Sequence, residues 1–214
     1  MAFKHLVFLL LAAGLALFAG PASLRAEPLQ IVGFGDSLMA GFGLDAGQSF
    51  PEKLEAALRA DGHDVVIANA GVSGDTSSGG LSRLDWSIPD GTDLVLLELG
   101  ANDMLRGISP EITEKNLDAM LARLSERNIR VLLIGMRAAP NLGPDYASAF
   151  DAIYPRLARE HGVALYPFFL DGVAADKALL LEDGMHPNEA GIERMVERAK
   201  PAVEKLIATE PDNS

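Results

Sequence analysis

Residues 93–103 read DLVLLELGAND, and this stretch decides how the rest of the chain can fold. Nearly every position from 94 to 99 is apolar, which is the pattern of a strand covered on both faces. Gly100 and Asn102 then mark the point where the apolar run gives way to a polar loop. The stretch therefore predicts the central strand of a parallel sheet that lies between two layers of helices.

Similar apolar runs occur on either side of this strand, at 29–35, 64–71, 129–136 and 163–168. Amphipathic stretches separate them and predict helices at 51–62, 110–127, 146–160 and 188–207, with a weaker helix at 80–86. Strands that alternate with helices in this way predict an α/β fold built on one parallel sheet. The length of the chain favours a single domain, which we place at residues 27–208, followed by a polar tail at 209–214.

The first 26 residues have the pattern of a secretory signal peptide. Lys4 and His5 precede the apolar run LVFLLLAAGLALFAG, and small residues follow it. A run of roughly 15 apolar residues is short for a membrane span, although an uncleaved N-terminal anchor is the alternative. We predict cleavage after Ala22 or Ala26 and a periplasmic or secreted protein with no stable membrane anchor.

Composition excludes several classes of function. The formal net charge of −12 argues against sequence-independent binding to nucleic acid, whose phosphates attract basic surfaces. The chain has no cysteine, so it can have neither a disulfide nor a thiolate nucleophile. His63 and His161 are expected to be surface turn residues, and because the histidines do not cluster we predict no metal site. We also predict that the protein uses no cofactor.

Polar segments follow three of the predicted strands, at the edge where active sites of parallel sheets lie. Ser37 ends the segment GDS after the first strand, where a sharp bend would expose its hydroxyl. His186 can supply the base that a serine nucleophile needs, and Asp183 precedes it by three positions, with Gly184 allowing the chain to curl. Asp36 is expected to brace the bend.

Acyl transfer also needs hydrogen-bond donors for the oxyanion. The backbone N–H groups of Ser37 and Gly74 and the side-chain amide of Asn102 are the candidates. Each has an ordinary structural explanation when it is taken alone: a helix N-cap, a turn glycine and the start of a loop. Asp75 and Thr76 are expected to cap the helix that follows Gly74.

Three other motifs are absent or incomplete. The segment GFGDSL at 33–38 begins like a dinucleotide-binding fingerprint, but Leu38 replaces its third glycine. The chain has no phosphate-binding loop of the type G-x-x-x-x-G-K, and it has no G-x-S-x-G nucleophile elbow.

Taken together, GDS, SGDTSSGG, LGAND and DGMHP resemble the four successive blocks of the SGNH, or GDSL-type, hydrolase superfamily. The longer stretches GDSLMAGFGL, NAGVSGDTSSGG, LELGANDMLRG and YPFFL are similar to the bacterial group of thioesterase I, lysophospholipase and arylesterase. The resemblance implies a three-layer α/β/α, flavodoxin-like fold with a five-stranded parallel sheet. It also implies an exported, metal-independent hydrolase of esters and thioesters with Ser37 as nucleophile, Asp183 and His186 as its partners, and Ser37, Gly74 and Asn102 as the oxyanion hole.

The same resemblance suggests that Met104, Leu105 and Arg106 contact the acyl chain of a small-molecule ester or thioester. Two alternatives stay open: a carbohydrate acetyl esterase of the same superfamily, and a non-catalytic exported lipid-binding protein. A monomer is the simplest expectation. Trp86 and the pair Phe168–Phe169 are expected in the core rather than at a substrate surface.

Overall fold

The protein, described here from a computed structural model over residues 27–209, is built on one five-stranded parallel sheet. The strands are β1 (Leu29–Gly35), β2 (Val65–Gly71), β3 (Leu94–Glu98), β4 (Arg130–Ile134) and β5 (Ala164–Tyr166). Their order across the sheet is β2-β1-β3-β4-β5. The predicted signal peptide at 1–26 and all but the first residue of the predicted tail lie outside the described residues.

Helices connect the strands and cover both faces of the sheet. They are α1 (Ser37–Ala40), α2 (Phe50–Ala60), α3 (Ser77–Ser87), α4 (Ala101–Leu105), α5 (Pro110–Glu126), α6 (Pro144–Asp151), α7 (Ile153–His161) and α8 (Glu189–Ala208). Helices α2 and α8 pack against each other, while α5 packs against α3 and α7. The α/β fold with a five-stranded parallel sheet is therefore confirmed.

Strand β3 has the central position that its apolar sequence predicts. All five of its residues are buried, because β1 and β4 pair with its two edges and helices cover both faces of the sheet. The chain runs from β1 outward to β2 and then returns to β3 on the other side of β1. The connections after β1 and β3 therefore diverge, and they leave a crevice at the carboxyl ends of these two strands, where ligands bind in open α/β sheets.

Two predictions about individual elements are wrong. The single helix predicted at 146–160 is two helices that meet at Ala152, and α7 contains Pro155 near its start. Proline lacks an N–H group and clashes with the carbonyl four residues earlier, so an unbroken helix through Asp151 is disfavoured. Trp86 does not join the core: it is 76% exposed near the end of α3, whereas Phe169 is fully buried and Phe168 packs partly against the core.

None of the helices within residues 27–209 combines the length and the apolar character that a membrane span requires.

Candidate active site

Ser37 lies directly after β1, at the first position of the short helix α1. The N-cap of this helix is Asp36 rather than Ser37, and the Asp36 Oδ1 atom accepts a hydrogen bond from the Leu38 N–H at 3.0 Å. This contact agrees with the expected bracing role of Asp36. Gly35 leaves room for the Glu98 carboxyl beside the bend, since a Cβ atom there would lie 2.5 Å from Glu98 Oε2. The Ser37 hydroxyl is thereby left free to face the crevice.

The loop before α8 brings His186 to Ser37. His186 Nε2 lies 2.8 Å from Ser37 Oγ, and His186 Nδ1 lies 2.6 Å from Asp183 Oδ2. The three side chains thus form one hydrogen-bonded chain, although Ser37 and His186 are 149 positions apart.

Local contacts curl this loop so that Asp183 and His186 can meet. Gly184 adopts a φ of 69°, in the left-handed region that glycine favours. Asp183 Oδ1 accepts hydrogen bonds from the N–H groups of Met185 and His186 at 2.9 and 3.0 Å. These bonds to His186 and Met185 lower the pKa of Asp183 to about 2, so its carboxyl stays ionised and can hold the proton of Nδ1.

An aromatic ring covers the imidazole. The ring centroid of Phe42 lies 4.5 Å from that of His186, with the two planes tilted by 38°. Sequence reasoning did not select Phe42, although its place in GDSLMAGFGL, five residues after Ser37, was a signal that could have drawn attention to it.

The three candidate oxyanion donors lie around the same crevice. Ser37, Gly74 and Asn102 all line it, and Gly74 adopts a φ of 81° in the turn between β2 and α3. Asn102 Nδ2 donates to Asp36 Oδ2 at 2.9 Å. A side-chain amide carries two N–H bonds, so this contact leaves one of them free for another acceptor.

Arg106 takes a role that its sequence position did not indicate. Its Nη2 atom donates to the Gly74 carbonyl oxygen at 2.7 Å, which joins the loop after β3 to the turn after β2. Met104 and Leu105 line the crevice, whereas Arg106 is not among the lining residues of the part of the chain described here.

Asp36 and Glu98 form a buried acidic pair beneath the nucleophile. Both side chains are shielded from solvent, and the Asp36 N–H donates to Glu98 Oε2 at 3.2 Å. Burial raises the pKa of Asp36 to about 6 and raises the pKa of Glu98 well above its usual value. Glu98 was not identified from the sequence, because it stands in the apolar strand β3.

The crevice is a cleft of about 220 Å³ lined by both polar and apolar residues. Its polar lining consists of Asp36, Ser37, Ser73, Gly74, Asn102 and His186. Its apolar lining consists of Leu38, Phe42, Ala101, Met104, Leu105, Met136, Leu170 and Met185. Of the apolar residues, Met136, Leu170 and Met185 were not selected from the sequence, although Leu170 lies in the stretch YPFFL and Met185 lies in DGMHP.

The remaining sequence predictions near the cleft have mixed outcomes. Thr76 caps α3, since its hydroxyl accepts from the Gly79 N–H at 3.2 Å. Asp75 instead forms an ion pair with Arg83 at 2.6 Å. His161 lies away from the cleft, where its ring contacts Asp118 at 2.7 Å.

The geometry allows a proton to move from serine to histidine. With its proton on Nδ1, directed at Asp183, the imidazole presents the Nε2 lone pair to the Ser37 hydroxyl. Ser37 and Asn102 line the same cleft, so an acyl carbonyl attacked by the Ser37 hydroxyl there would have the Asn102 amide nearby. The arrangement can therefore activate a hydroxyl beside a group that stabilises negative charge.

Comparison with known proteins gives the family of the chain. The sequence profile described as the GDSL-like lipase/acylhydrolase family matches residues 34–194. The esterase TesA of Pseudomonas aeruginosa is 38% identical over 200 residues, which cover 93% of this chain and 98% of that protein. The Escherichia coli protein named thioesterase 1/protease 1/lysophospholipase L1 is 40% identical over 155 residues, which cover 72% of this chain and 73% of that one.

A solved structure extends the similarity to three dimensions. The crystal structure of AlinE4, described as an SGNH-hydrolase family esterase, shares 47% sequence identity and gives a TM-score of 0.72 over 86% of this chain and 100% of its own. Sequence and fold thus agree, and the chain belongs to the GDSL-like lipase/acylhydrolase family of SGNH hydrolases.

Proposed function

We propose that this protein hydrolyses carboxylic esters, and thioesters as well, through an acyl-enzyme formed on Ser37. The observation that carries the proposal is the continuous chain from Asp183 Oδ2 through His186 to Ser37 Oγ, with contacts of 2.6 and 2.8 Å, at the mouth of an apolar cleft. The names of its relatives, which include esterase, arylesterase and thioesterase, support the same chemistry.

The mechanism follows from the positions of these atoms. His186 Nε2 removes the Ser37 proton as Oγ attacks the acyl carbonyl, and Asp183 stabilises the imidazolium that forms. The N–H groups of Ser37 and Gly74 and the free N–H of Asn102 stabilise the oxyanion. His186 then protonates the leaving alcohol or thiol, and water, activated by the same imidazole, releases the acid.

The apolar lining of the cleft supports acyl substrates rather than sugars. If the sugar of a carbohydrate acetyl ester lay against Met104, Leu105 and Met136, its hydroxyl groups would lose their hydrogen bonds to water. An acyl chain placed there would instead remove apolar surface from water. We therefore propose that Met104 and Leu105 contact the acyl chain, and that Arg106 fixes the turn at Gly74.

The test is hydrolysis of p-nitrophenyl esters from acetyl to palmitoyl by the parent protein and by S37A. We expect turnover by the parent and its loss in S37A, with S82A as the matched control because Ser82 is exposed on α3 and distant from the cleft. If S37A retained turnover within a few-fold of the parent, the proposed nucleophile would be wrong. Activity confined to acetyl esters of sugars would favour the carbohydrate acetyl esterase.

We also propose that the chain is exported and acts as a monomer. The basic and apolar pattern of residues 1–26 supports export, although these residues lie outside the described part of the chain. Sequencing the N-terminus of protein from the periplasm or medium would test this, with Ser23 or Glu27 expected as the first residue. Protein retained in the cytoplasm with Met1 intact would contradict it, and size-exclusion chromatography would test the monomer.

A further inference from the structure

The buried carboxyl groups of Glu98 and Asp36 are the part of the site whose chemistry is not yet explained. Glu98 is 1% exposed and Asp36 is fully buried, and the Asp36 N–H donates to Glu98 Oε2 at 3.2 Å, which makes the two residues neighbours. Burial and the charge of Asp36 both raise the pKa of Glu98. Two neighbouring carboxylates that were both ionised and buried would repel strongly, so one of the two must hold a proton. The question is which of them does so.

The hydrogen bonds around the pair place the proton on Glu98. Asp36 accepts from the Leu38 N–H at 3.0 Å and from Asn102 Nδ2 at 2.9 Å, and both donors favour its ionised form. Glu98 accepts one bond, from the Asp36 N–H at 3.2 Å, and its Oε1 atom has no donor within residues 27–209. An ionised Glu98 would leave that buried oxygen without a partner, whereas a protonated Glu98 becomes a donor for the Asp36 carboxylate.

The groups that surround the pair do not supply a cation for Glu98. Arg83 is already held by the Asp75 carboxylate, the Ala70 carbonyl and the Gly35 carbonyl. The hydroxyl of Tyr154 donates to the Leu99 carbonyl, and the pKa of Tyr154 lies well above its usual value through burial and the nearby acidic groups. The other charged or titratable groups that act on Asp36 are Asp75 and His186, of which only His186 can become positive. Asp103 and Asp151 act on Tyr154 beside the pair and are acidic as well.

We propose that Glu98 is a positioning residue: as a buried carboxylic acid it donates a hydrogen bond to Asp36, whose carboxylate then holds the Asn102 amide in the orientation that an oxyanion donor requires. Asn102 is the one oxyanion donor of the three that is a rotatable side chain, so it is the one that needs such a hold. The absence of a Cβ at Gly35 allows the Glu98 carboxyl to reach this position, since a Cβ would lie 2.5 Å from Oε2.

This inference rests on the proposed role of Asn102 in ester hydrolysis. Two variants, E98Q and E98L, test whether activity depends on a neutral hydrogen-bond donor at position 98. Glutamine keeps a neutral donor of the same shape, so E98Q should retain kcat within about threefold of the parent. Leucine removes the donor, so kcat of E98L should fall on the order of 10-fold to 100-fold, with KM little changed. This loss in kcat is smaller than the loss on the order of 10²–10³-fold that is typical when a whole oxyanion donor is removed. If E98L is as active as the parent, or E98Q as impaired as E98L, the proposal is overturned.

A double variant tests whether Glu98 acts through Asn102. If it does, adding E98L to N102A should lower kcat no further than N102A alone, because the group that Glu98 positions is already gone. Losses that multiply would refute this connection. A parent protein with no esterase activity would instead refute the proposed function, so the two failures are distinguishable.

The protonation state can be measured without relying on activity or on the folding of E98L. Infrared difference spectra of the parent against E98Q at pH 7 should show the carbonyl stretch of a protonated carboxylic acid in the parent, and this band should be missing in E98Q. A parent without such a band, or a band that persists unchanged in E98Q, would overturn the proposal.

Discussion

Replacing Asp183 by asparagine should impair ester hydrolysis more than replacing it by alanine, although asparagine matches the shape of the native side chain. Asp183 Oδ1 is already fixed by the N–H groups of Met185 and His186, at 2.9 and 3.0 Å. In D183N the amide oxygen takes this position, so the amide NH2 faces His186 Nδ1. A donor at that point stabilises the tautomer with its proton on Nε2, which cannot accept the proton of Ser37.

The difference in kcat between D183N and D183A follows from the free-energy cost of exchanging the positions of the amide oxygen and the NH2 group in D183N. The turned amide would restore an acceptor for Nδ1, but its NH2 would then oppose the two backbone N–H groups. Losing two hydrogen bonds at about 1–1.5 kcal/mol each costs about 2–3 kcal/mol. At about 1.4 kcal/mol for each factor of ten, this corresponds to a loss of about 30-fold to 150-fold that D183A does not suffer.

Alanine at position 183 leaves Nδ1 accessible to water, because the Asp183 side chain is 36% exposed in the parent. We therefore expect kcat to fall on the order of 10-fold to 10²-fold in D183A and 10³-fold to 10⁴-fold in D183N, within the range known for such aspartates. The assay is kcat on p-nitrophenyl butyrate, with both substitutions repeated in H186A, where they should make no difference. If D183N equalled or exceeded D183A in kcat, the reasoning about the amide orientation would be refuted.

Three further predictions concern Asn102, Leu105 and Asp36. N102A should lower kcat on the order of 10²-fold to 10³-fold with KM within a few-fold, because its amide acts on the transition state; an unchanged kcat in steady-state assays would contradict this. L105A should lower kcat/KM for long acyl esters by about tenfold and leave kcat/KM for acetyl esters nearly unaffected, since Leu105 belongs to the apolar lining of the cleft. A uniform change of kcat/KM across chain lengths would exclude this role. Burial raises the pKa of Asp36 from 3.8 to about 6, so the folded protein holds the Asp36 proton more tightly than the unfolded chain does. The stability that this proton contributes is fully present below pH 3.8 and is lost as the pH rises through about 6. Urea unfolding of the parent and D36N should therefore show the parent losing stability relative to D36N between pH 4 and 7, and a constant difference would contradict the assignment.

The sequence predicted the sheet well because its strands are uniformly apolar and flanked by clear breaks. The predicted range 29–35 coincides with β1, and the other four strands agree within two residues at each end. The helices α1 and α4, with four and five residues, were not predicted, because they are too short to show a helical period. Trp86 was misplaced because an apolar side chain near a helix end carries no information about whether another element covers it.

The site was predictable where polar residues interrupt an apolar pattern, as Ser37, Asn102 and His186 do at the ends or beyond the ends of strands. The structure brings all of these residues to one cleft. Glu98 shows the limit of this approach, because a single acidic residue in an apolar strand looks like the end of the strand. Its role depends on the register that pairs β1 with β3 and brings the carboxyl beneath Gly35, and the sequence of one strand does not contain that register.

The two sides of the cleft are held by different means, which has consequences for catalysis. The donors of Ser37 and Asn102 belong to short helices that begin at the ends of the central strands, and the buried Asp36 carboxylate links them. His186 belongs instead to an exposed loop, which is closed at its base by the Leu181 N–H to His186 O bond of 2.8 Å and by the bridge between Leu180 and Pro187. Preorganised donors contribute most when they do not move during the reaction, whereas a general base must approach serine, then the leaving group and then water. The buried link through Asp36 and the locally anchored histidine loop therefore suit the separate tasks that we propose for the two halves of the site.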